Sequence, residues 1–469
     1  MNIFSLKYVG IFFLVISFFS FFNIIYSYYF ETLDNLTNYI ITFATALFIG
    51  LFSFIYKKFK FEKISLFERI LVVLIGYFLL PVVISIPYFL GIENISYINC
   101  YFEAISGFTS TGFTIFSDLQ QLDQTLILWR SSSQWIGGLY FLFSILLLID
   151  LFDENLKRSL TNYFSLNSTE ILKQVFKIVT IYLSLTILIF IMLKIVNLRS
   201  YDAYNYALSI ISSGGFLPNN NFDVTFKSDI SKIILSITML FSFFSLFFIF
   251  NLIFFKKKNI NYLSEDINIL IYLLIVISIS FIFFNFDNNF LNILVSICSS
   301  VSNIGISFEK IPNNLVFVFL LLVILGGSFF STSSGLRVIK VITLIKFSIN
   351  NLLSHSKPNQ IYSNKLSLNK ISANISDINK YFFAIIIFII SLFIISALLT
   401  ISNLDFETSF KLGILTIMNT VNSEMYNLAD VDFYNFNLFG KISLIIFMII
   451  GRIELLSLII LFKKFLFKN

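Results

Sequence analysis

The chain has 469 residues, of which 57% are hydrophobic and only 12% are charged. A soluble globular protein carries roughly a quarter of charged residues, so this composition excludes a soluble enzyme. With 62 Phe and 22 Tyr, the chain is also too apolar to be intrinsically disordered. The composition indicates a polytopic membrane protein, and the length allows roughly 8 to 12 transmembrane helices of about 20 apolar residues each.

Apolar runs that are long enough to cross a bilayer occur along the whole chain. They cover residues 8–28, 37–56, 68–91, 127–152, 174–197, 230–255, 267–285, 314–347, 381–400 and 440–462. We expect the first run to be a retained helix and not a cleaved signal peptide, because it is too long and ends without a small-residue cleavage site.

Basic residues are concentrated in every second connection between these runs. They are Lys57, Lys58, Lys60, Lys63, Arg69, Lys157, Arg158, Lys173, Lys256, Lys257, Lys258, Lys357, Lys365, Lys370, Lys380, Lys463, Lys464 and Lys468. By the positive-inside rule, this alternation predicts that both termini are cytoplasmic. The opposite connections are rich in Asp and Glu, which indicates either ordinary solvated loops or an outer vestibule whose field concentrates cations.

Four of the outer connections repeat one pattern: a short amphipathic stretch, then a cluster of Ser, Thr, Asn and Gly. They are residues 101–113, 201–216, 290–306 and 410–425. The amphipathic stretches hold about 8 to 12 residues, which is too short to cross a bilayer. The pattern therefore predicts helices that enter the membrane halfway and return as irregular backbone, which membranes tolerate only where it lines a cavity or is buried in protein.

The four clusters predict a filter for a monovalent cation. Aligning them puts Gly112, Gly215, Gly305 and Asn422 in register. Glycine permits unusual dihedrals and lets carbonyl groups converge, and rings of carbonyl oxygens replace the hydration shell of a monovalent ion. The first three clusters contain no carboxylate, which a divalent-cation site would need.

The remaining reactive residue types are few. Two cysteines, Cys100 and Cys298, cannot form a disulfide framework, and both are expected to be inert. A single histidine, His355, excludes histidine-cluster metal sites and argues against histidine-based catalysis. The chain contains no P-loop, GxSxG or HExxH motif, so we expect neither nucleotide binding nor enzymatic activity.

Three ordered motifs strengthen the interpretation of the clusters. Residues 129–138 read WRSSSQWIGG, residues 326–340 read GGSFFSTSSGLRVIK, and residues 451–454 read GRIE. With the four clusters they closely resemble the Trk/Ktr superfamily of potassium transporters, over most of the chain from residue 66 to the end. Two apolar runs precede the first repeat, and such a pair is typical of the Trk, or TrkH-like, branch.

The resemblance implies an all-α polytopic membrane protein with four fused helix–pore loop–helix repeats around a central pore. Two extra N-terminal transmembrane helices would precede the repeats. The implied division is 1–65 for the extra helices, 66–156 for repeat one, 157–262 for repeat two, 263–360 for repeat three with an intramembrane gating loop, and 361–469 for repeat four.

The resemblance also implies which residues bind the ion and which form a gate. The filter would be lined by backbone of Ser110, Thr111, Gly112, Ser213, Gly214, Gly215, Asn303, Ile304, Gly305, Thr420, Val421 and Asn422. The gate would comprise Gly326, Gly327, Ser331, Thr332, Gly335 and Arg452. The alternatives are a plain glycine kink in the segment and a structural Arg452 that pairs with Glu454 or with helix-end carbonyls. We expect Arg337 and Lys340 to snorkel to the cytoplasmic surface, and Trp129 and Trp135 to be interface anchors or helix-packing residues.

Four positions depart from the family pattern. Asn422, Phe330 and Ser334 stand where the family usually has glycine, and Ile306 stands where phenylalanine is common. These departures leave open whether K⁺ or Na⁺ is preferred and how fast the gate works, while the architecture stands.

By resemblance, the chain is the ion-conducting subunit for potassium uptake across the bacterial cytoplasmic (inner) membrane. K⁺ would be the transported ion, with no cofactor bound by this chain. The implied partners are membrane lipid, a second copy of the chain in a homodimer, and a TrkA-like cytoplasmic nucleotide-binding regulatory subunit, which basic loops would dock. No nucleic acid is expected.

Two alternatives from other functional classes remain open. A less selective K⁺/Na⁺ transporter or a secondary cation carrier would also have repeats and broken helices, but a carrier predicts acidic residues at the midplane, and the apolar runs contain almost none. A membrane-embedded enzyme would need a large loop with carboxylates or metal ligands, whereas the connection 349–380 carries the single acid Asp377.

Overall fold

The computed structural model of the chain describes residues 7–55, 65–148, 171–219, 222–253, 264–283, 290–308, 315–356 and 375–453. Its helices are α1 (Lys7–Tyr29), α2 (Leu36–Ile55), α3 (Leu66–Ile84), α4 (Ile86–Gly91), α5 (Tyr97–Phe108), α6 (Gln124–Leu147), α7 (Ile171–Ile195), α8 (Ser200–Ile211), α9 (Phe222–Thr225), α10 (Asp229–Phe243), α11 (Leu246–Ile253), α12 (Ser264–Phe283), α13 (Phe290–Val301), α14 (Val316–Ile324), α15 (Val338–Ser356), α16 (Ile375–Ile401), α17 (Phe406–Ile417) and α18 (Leu438–Arg452). A two-residue parallel pair, β1 (Leu325–Gly326) and β2 (Leu336–Arg337), lies between α14 and α15.

Helices occupy the predicted apolar runs as far as the described residues extend, except that the run 314–347 is helical only on either side of residues 325–337. By length and composition alone, the described residues contain five helices that are able to cross a bilayer. They are Lys7–Tyr29, Leu33–Phe54, Leu66–Gly91, Lys173–Ile195 and Ile378–Ile401. The perimeter of the molecule is apolar, since α16 exposes Phe382, Phe383, Ile386 and Ile390, each by more than two fifths of its surface.

The first two helices pack tightly against each other. A Cβ on Gly10 would overlap the Ser53 side chain, and one on Gly50 would lie 2.9 Å from Leu14 Cγ. Small residues at a helix contact let two backbones approach closely, which is how membrane helices commonly associate. The pair joins the rest of the protein through α6, because Tyr39 Oη donates a hydrogen bond to Thr125 Oγ1 at 3.2 Å.

Helix α6 lies at the centre of the molecule. Its buried residues run without a break from Thr125 to Leu147, including Arg130 and Gln134. Protein therefore surrounds this helix on every side, so its polar residues do not meet lipid. This burial explains why α6 carries polar side chains that a lipid-facing span would lack.

Four short helices, α5, α8, α13 and α17, correspond to the predicted half-spans, and we call them the pore helices. Each has 12 residues. At 1.5 Å per residue this is too short for a bilayer of about 30 Å, so each pore helix ends inside the membrane layer.

The predicted eighth span is interrupted in its middle. Helix α14 ends at Ile324 and α15 begins at Val338. The strands β1 and β2 pair in parallel, with Leu325 opposite Leu336, and thereby close the ends of the segment 326–335, which we call the central loop. The alternative of a simple glycine kink is therefore wrong, because a kinked segment would stay helical through the bend, whereas residues 326–335 are not helical.

Candidate functional site

The four pore helices end in the same backbone turn. The second residue after each helix has a positive φ: 54° at Ser110, 56° at Ser213, 61° at Asn303 and 48° at Asn419. The next residue donates its N–H back to the helix, as in Thr111 N to Ser106 O at 2.9 Å and Thr420 N to Leu415 O at 3.0 Å. This is the Schellman ending of a helix, which turns the chain sharply and frees the following backbone.

Counting from these turns fixes the filter register in all four repeats. The second residue after the left-handed position is Gly112, Gly215, Gly305 and, in the fourth repeat, Val421. By this count Asn422, which the sequence alignment put in register, lies one position further along. Its side chain instead donates to Leu428 O at 2.9 Å and so braces the loop beyond the filter.

The four filter positions meet at one point. A Cβ on Gly112 would lie 3.2 Å from Gly215 Cα and 3.1 Å from the Val421 side chain. A Cβ on Gly305 would lie 2.8 Å from Val421 O, and one on Gly215 would lie 2.8 Å from Ile304 O. The structure thus brings all four predicted clusters together, with carbonyl groups of two of them beside glycines of the neighbouring repeats.

Many carbonyl groups at this point accept no hydrogen bond from any residue that the structure describes. They are those of Ser110, Thr111, Ser213, Asn303, Ile304, Thr420 and Val421. Six of these residues are fully buried, and Val421 is partly buried. Gly214 differs, since its carbonyl accepts from Ser209 Oγ at 2.9 Å. Buried carbonyl groups almost always have a partner, so a convergent set without one is suited to a cation.

Side-chain amides connect neighbouring filter turns. Asn419 Nδ2 donates to Thr111 Oγ1 at 3.0 Å and to Met448 O at 2.8 Å. Asn303 Nδ2 donates to Thr420 Oγ1 at 3.2 Å. This role of Asn419 was not predicted. An asparagine at the end of a pore helix was the available signal, because asparagine tolerates left-handed backbone.

Helix α6 supports the filter from behind. The Gln134 amide, when its oxygen faces the backbone, accepts from the N–H groups of Gly215 at 3.3 Å and Phe216 at 3.2 Å, while its NH₂ faces Ser209 Oγ at 2.7 Å. Gln134 was not predicted as a filter support. Its place in the polar run of residues 129–138 was the available signal.

A buried ion pair braces the segment that follows the first filter. Arg130 Nε lies 2.9 Å from Glu103 Oε1, and Glu103 Oε2 accepts from Ile115 N at 2.9 Å. Arg130 Nη2 donates to Thr114 Oγ1 at 2.9 Å, and its guanidinium stacks 4.1 Å from the centre of the Phe216 ring. These contacts hold repeats one and two together just outside the filter.

The central loop lies directly against the filter turns. Thr332 Oγ1 is 3.2 Å from Ser213 Oγ and donates to Ile211 O at 2.8 Å, and Ser334 Oγ donates to Asn419 Oδ1 at 3.3 Å. The loop needs its glycines: a Cβ on Gly326 would overlap Ser334 O, one on Gly327 would overlap Phe243 O, and Gly335 has φ +92°.

Arg452 joins the central loop to the first filter. It is 2% exposed; its Nε donates to Thr109 O and its Nη1 donates to Thr332 O at 2.7 Å. The predicted alternative partner, Glu454, lies outside the described residues.

Arg337 holds the loop from its own end. Its Nη1 donates to Ser328 O at 2.9 Å, Ser331 Oγ at 3.1 Å and Ser333 O at 3.0 Å. The expectation that Arg337 snorkels to the surface is therefore wrong, because the polar atoms of the loop offer partners inside the protein. Lys340 is also buried, at 8% exposure.

The two tryptophans are packing residues and not interface anchors. Trp129 is fully buried and donates from Nε1 to Ile84 O at 2.9 Å, and Trp135 donates from Nε1 to Thr186 Oγ1 at 3.1 Å. Both cysteines are buried and unpaired. The side chain of His355 lies outside the described part.

An outer cavity of about 440 Å³ opens onto the filter. Its lining includes Gly112, Gly215 and Val421 at one end and the carboxylates of Asp430 and Asp432 in the loop after α17. Hydrogen bonds from the Asn435 side chain and from the backbone N–H groups of Asn435 and Tyr434 lower the pKa of Asp432 below its ordinary value. Within the described residues, no three His, Cys, Asp or Glu side chains are grouped to hold a metal ion.

Comparisons with known proteins agree with this geometry. No protein-family model matches the chain. The chain is 25% identical over 444 residues to the Trk system potassium uptake protein TrkH of Salmonella typhimurium, covering 90% of each, and 23% identical over 450 residues to an uncharacterized cation transporter of Methanocaldococcus jannaschii, covering 90% of this chain and 88% of the relative. The crystal structure of the potassium transporter TrkH from Vibrio parahaemolyticus superimposes with a TM-score of 0.85, at 20% identity and 98% coverage of both chains.

The chain is similar in sequence to TrkH potassium uptake proteins over about 90% of its length, and it has the fold of TrkH. The predicted all-α polytopic membrane fold is confirmed by the match to the TrkH structure. The similarity extends beyond the filter to nearly the whole chain, so the short pore helices and the interrupted span belong to one shared architecture.

Proposed function

We propose that this chain is the ion-conducting subunit of a potassium uptake system in the cytoplasmic membrane. The observation that carries the proposal is the convergence of four Schellman turns whose buried carbonyl groups, from Ser110 to Val421, have no donor among the described residues. Such oxygens replace the water around a weakly hydrated cation and release it readily. Relatives named as potassium uptake proteins support K⁺ as the ion, and not an enzymatic role.

The site residues would act in two layers. The upper layer is the filter, formed by residues 110–112, 213–215, 303–305 and, in the corrected register, 419–421. The lower layer is the gate, formed by the central loop and Arg452, whose hydrogen bonds to Thr109 O and Thr332 O hold the loop beneath the first filter. Moving the loop aside requires the bond to Thr332 O to break.

The proposed assembly is a homodimer with a TrkA-like cytoplasmic nucleotide-binding subunit, in an inner membrane, with both termini cytoplasmic. The distribution of basic residues and the relatives' assignment to the Trk system support this. The repeat boundaries near 156, 262 and 360 lie outside the described residues, and the proposed four-repeat division is supported by the recurring pore-helix turn.

Ion flux through the purified protein in liposomes tests the proposal. We expect K⁺ and Rb⁺ to pass faster than Na⁺ and Li⁺, driven by the membrane potential alone. Equal rates for all four ions would favour the less selective transporter. Flux that needs a second gradient, of protons or Na⁺, would favour a secondary carrier instead.

A further inference from the structure

The fourth corner of the filter differs from the other three. Repeats one, two and three place glycine two residues after the left-handed turn, whereas repeat four places Val421 there. An isopropyl side chain therefore stands where the other repeats present only hydrogen atoms. We infer that Val421 sets the upper limit on the size of the cation that this filter passes, an inference that rests on the proposed cation conduction.

Val421 reaches all three filter glycines. A Cβ on Gly215 would lie 2.6 Å from Val421 Cβ, one on Gly305 would lie 2.9 Å from Val421 Cγ1, and one on Gly112 would lie 3.1 Å from Val421 Cγ2. One side chain thus fills the space that three glycines leave open. The glycines of the other repeats are needed in part because this valine is present.

The position of Val421 puts it on the path of an entering ion. Val421 lines the inner end of the outer cavity together with Gly112 and Gly215, and it stays partly exposed while Thr420 beside it is fully buried. A β-branched side chain has few χ1 rotamers, so Val421 cannot easily swing aside.

The Val421 side chain narrows the ion passage but offers no favourable contact to any cation. A methyl group offers no oxygen, so it cannot replace lost water, and it resists displacement in a close-packed surrounding. The larger the dehydrated cation, the more the valine must yield. Val421 therefore acts against the larger alkali cations, while the carbonyl groups act against the strongly hydrated smaller ones.

The experiment compares the flux of K⁺, Rb⁺ and Cs⁺ in liposomes, normalised to reconstituted protein, for wild type, V421G and V421A. Because one methylene in a fitted pocket changes discrimination by roughly tenfold or more, we expect the Cs⁺/K⁺ flux ratio to rise roughly tenfold in V421G and less in V421A. The matched control, which should keep the wild-type ratio, is N422G, one residue away. V421T keeps nearly the same volume but adds a hydroxyl, and it therefore separates the effect of width from that of polarity.

An unchanged Cs⁺/K⁺ ratio in both V421G and V421A would overturn the inference. A rise in V421T as large as that in V421G would also overturn it, since the polarity of the side chain and not its width would then set the ratio. A shift in N422G without one in V421G would assign the fourth filter position to Asn422. If V421G does not fold, V421A and V421T decide. Cs⁺-dependent stabilisation in a thermal melt gives a second readout. Absence of K⁺ flux in the wild type would contradict the proposed function itself, not the role of Val421.

Discussion

Each filter turn begins with a non-glycine residue in the left-handed region, which costs most residues roughly 1–2 kcal/mol. Two of the four are asparagines, Asn303 and Asn419, and both use their amides to bond a neighbouring filter turn. The same residues thus permit the turn and fix its position relative to the next repeat. Because ion selectivity depends on where carbonyl groups lie, these cross-links matter for function.

Glycine at the first filter position is required for two independent reasons. Gly112 has φ +84°, and a Cβ there would lie 3.1 Å from the Val421 side chain. We expect G112S to strain the turn by roughly 1–3 kcal/mol and displace its carbonyl groups, which lowers the K⁺/Na⁺ flux ratio by about tenfold. The measurement is paired K⁺ and Na⁺ flux in liposomes.

The control for G112S is G413A, which lies within a pore helix, where the new Cβ would meet its nearest neighbour at 3.1 Å. This variant should keep the wild-type selectivity. Unaltered selectivity in G112S itself would remove the first cluster from the filter.

Residue patterns and helix ends give the same filter register in three repeats, and the reason why they differ in the fourth is physical. In the first three repeats a glycine marks the position, but in the fourth no glycine is present, and Asn422 is the residue most similar to glycine in its backbone freedom. The helix end, and not the residue type, fixes the register. That end depends on hydrogen bonds such as Asn419 N to Thr416 O, which the sequence does not display.

At the scale of elements, the central loop is an irregular segment held at both ends and from both sides. The parallel pair β1–β2 closes its base, Arg337 satisfies its inner polar atoms, and Arg452 ties Thr332 to the first filter turn. Irregular backbone inside a membrane must find such partners. Polar contacts thus hold the loop in its conformation, and displacement of Arg452 would remove one of them, the hydrogen bond to Thr332 O.

We expect R452A to raise basal K⁺ flux per molecule in the absence of any regulatory partner. The variant loses two charge-assisted hydrogen bonds, to Thr109 O and Thr332 O, each worth roughly 1.5–3 kcal/mol. Moving the loop breaks the bond to Thr332 O, and the absence of this one bond favours the open state by about ten- to hundredfold. Deletion of residues 329–334 should act in the same direction, and flux normalised to reconstituted protein is the measurement.

R452K is the matched variant, because lysine keeps the charge but cannot reproduce the two-point contact of a guanidinium. It should give an intermediate flux. A purely structural Arg452 predicts less folded protein and no gain per molecule. A fall in normalised flux for both R452A and the deletion would remove the gate from this protein.

The pore helices and the interrupted span followed from the sequence, whereas the polar contacts between elements did not. Helix length and the Ser/Gly clusters are local signals, so the sequence pattern alone was enough to locate the segments 101–113 and 326–335. The Glu103–Arg130 pair and the Gln134 contact join residues that are far apart in the chain. The type of a residue alone does not indicate which distant residue it contacts. Arg337 was misjudged for the same reason.

At the scale of the whole molecule, the outer cavity gathers acidic charge at the mouth of the filter. We expect D430N/D432N to lower K⁺ flux at low ionic strength by about two- to fivefold, because each carboxylate attracts cations by up to about 1 kcal/mol at short range in water. The difference should vanish at about 1 M salt of an impermeant ion, where the Debye length is about 3 Å.

The control is E93Q, which removes one exposed outer charge that does not line the cavity. It should leave flux unchanged. Because hydrogen bonds from Asn435 lower the pKa of Asp432, its carboxylate stays charged as the pH falls from about 7 to about 5, so its share of the effect should persist over that range. A loss of flux in E93Q equal to that in the double variant would indicate general surface charge instead.

The complete burial of α6 bears on how the protein is made. A helix that carries Arg130, Gln134 and three successive serines partitions poorly into lipid, since arginine alone costs about 2.5–3.5 kcal/mol at a helix centre during insertion. In the finished protein Arg130 forms an ion pair with Glu103, and the Gln134 amide accepts hydrogen bonds from the backbone N–H groups of Gly215 and Phe216. During synthesis, α6 therefore has to leave the translocon alongside α5 and the earlier helices, so that the ion pathway starts to assemble while the remainder of the chain is still being translated.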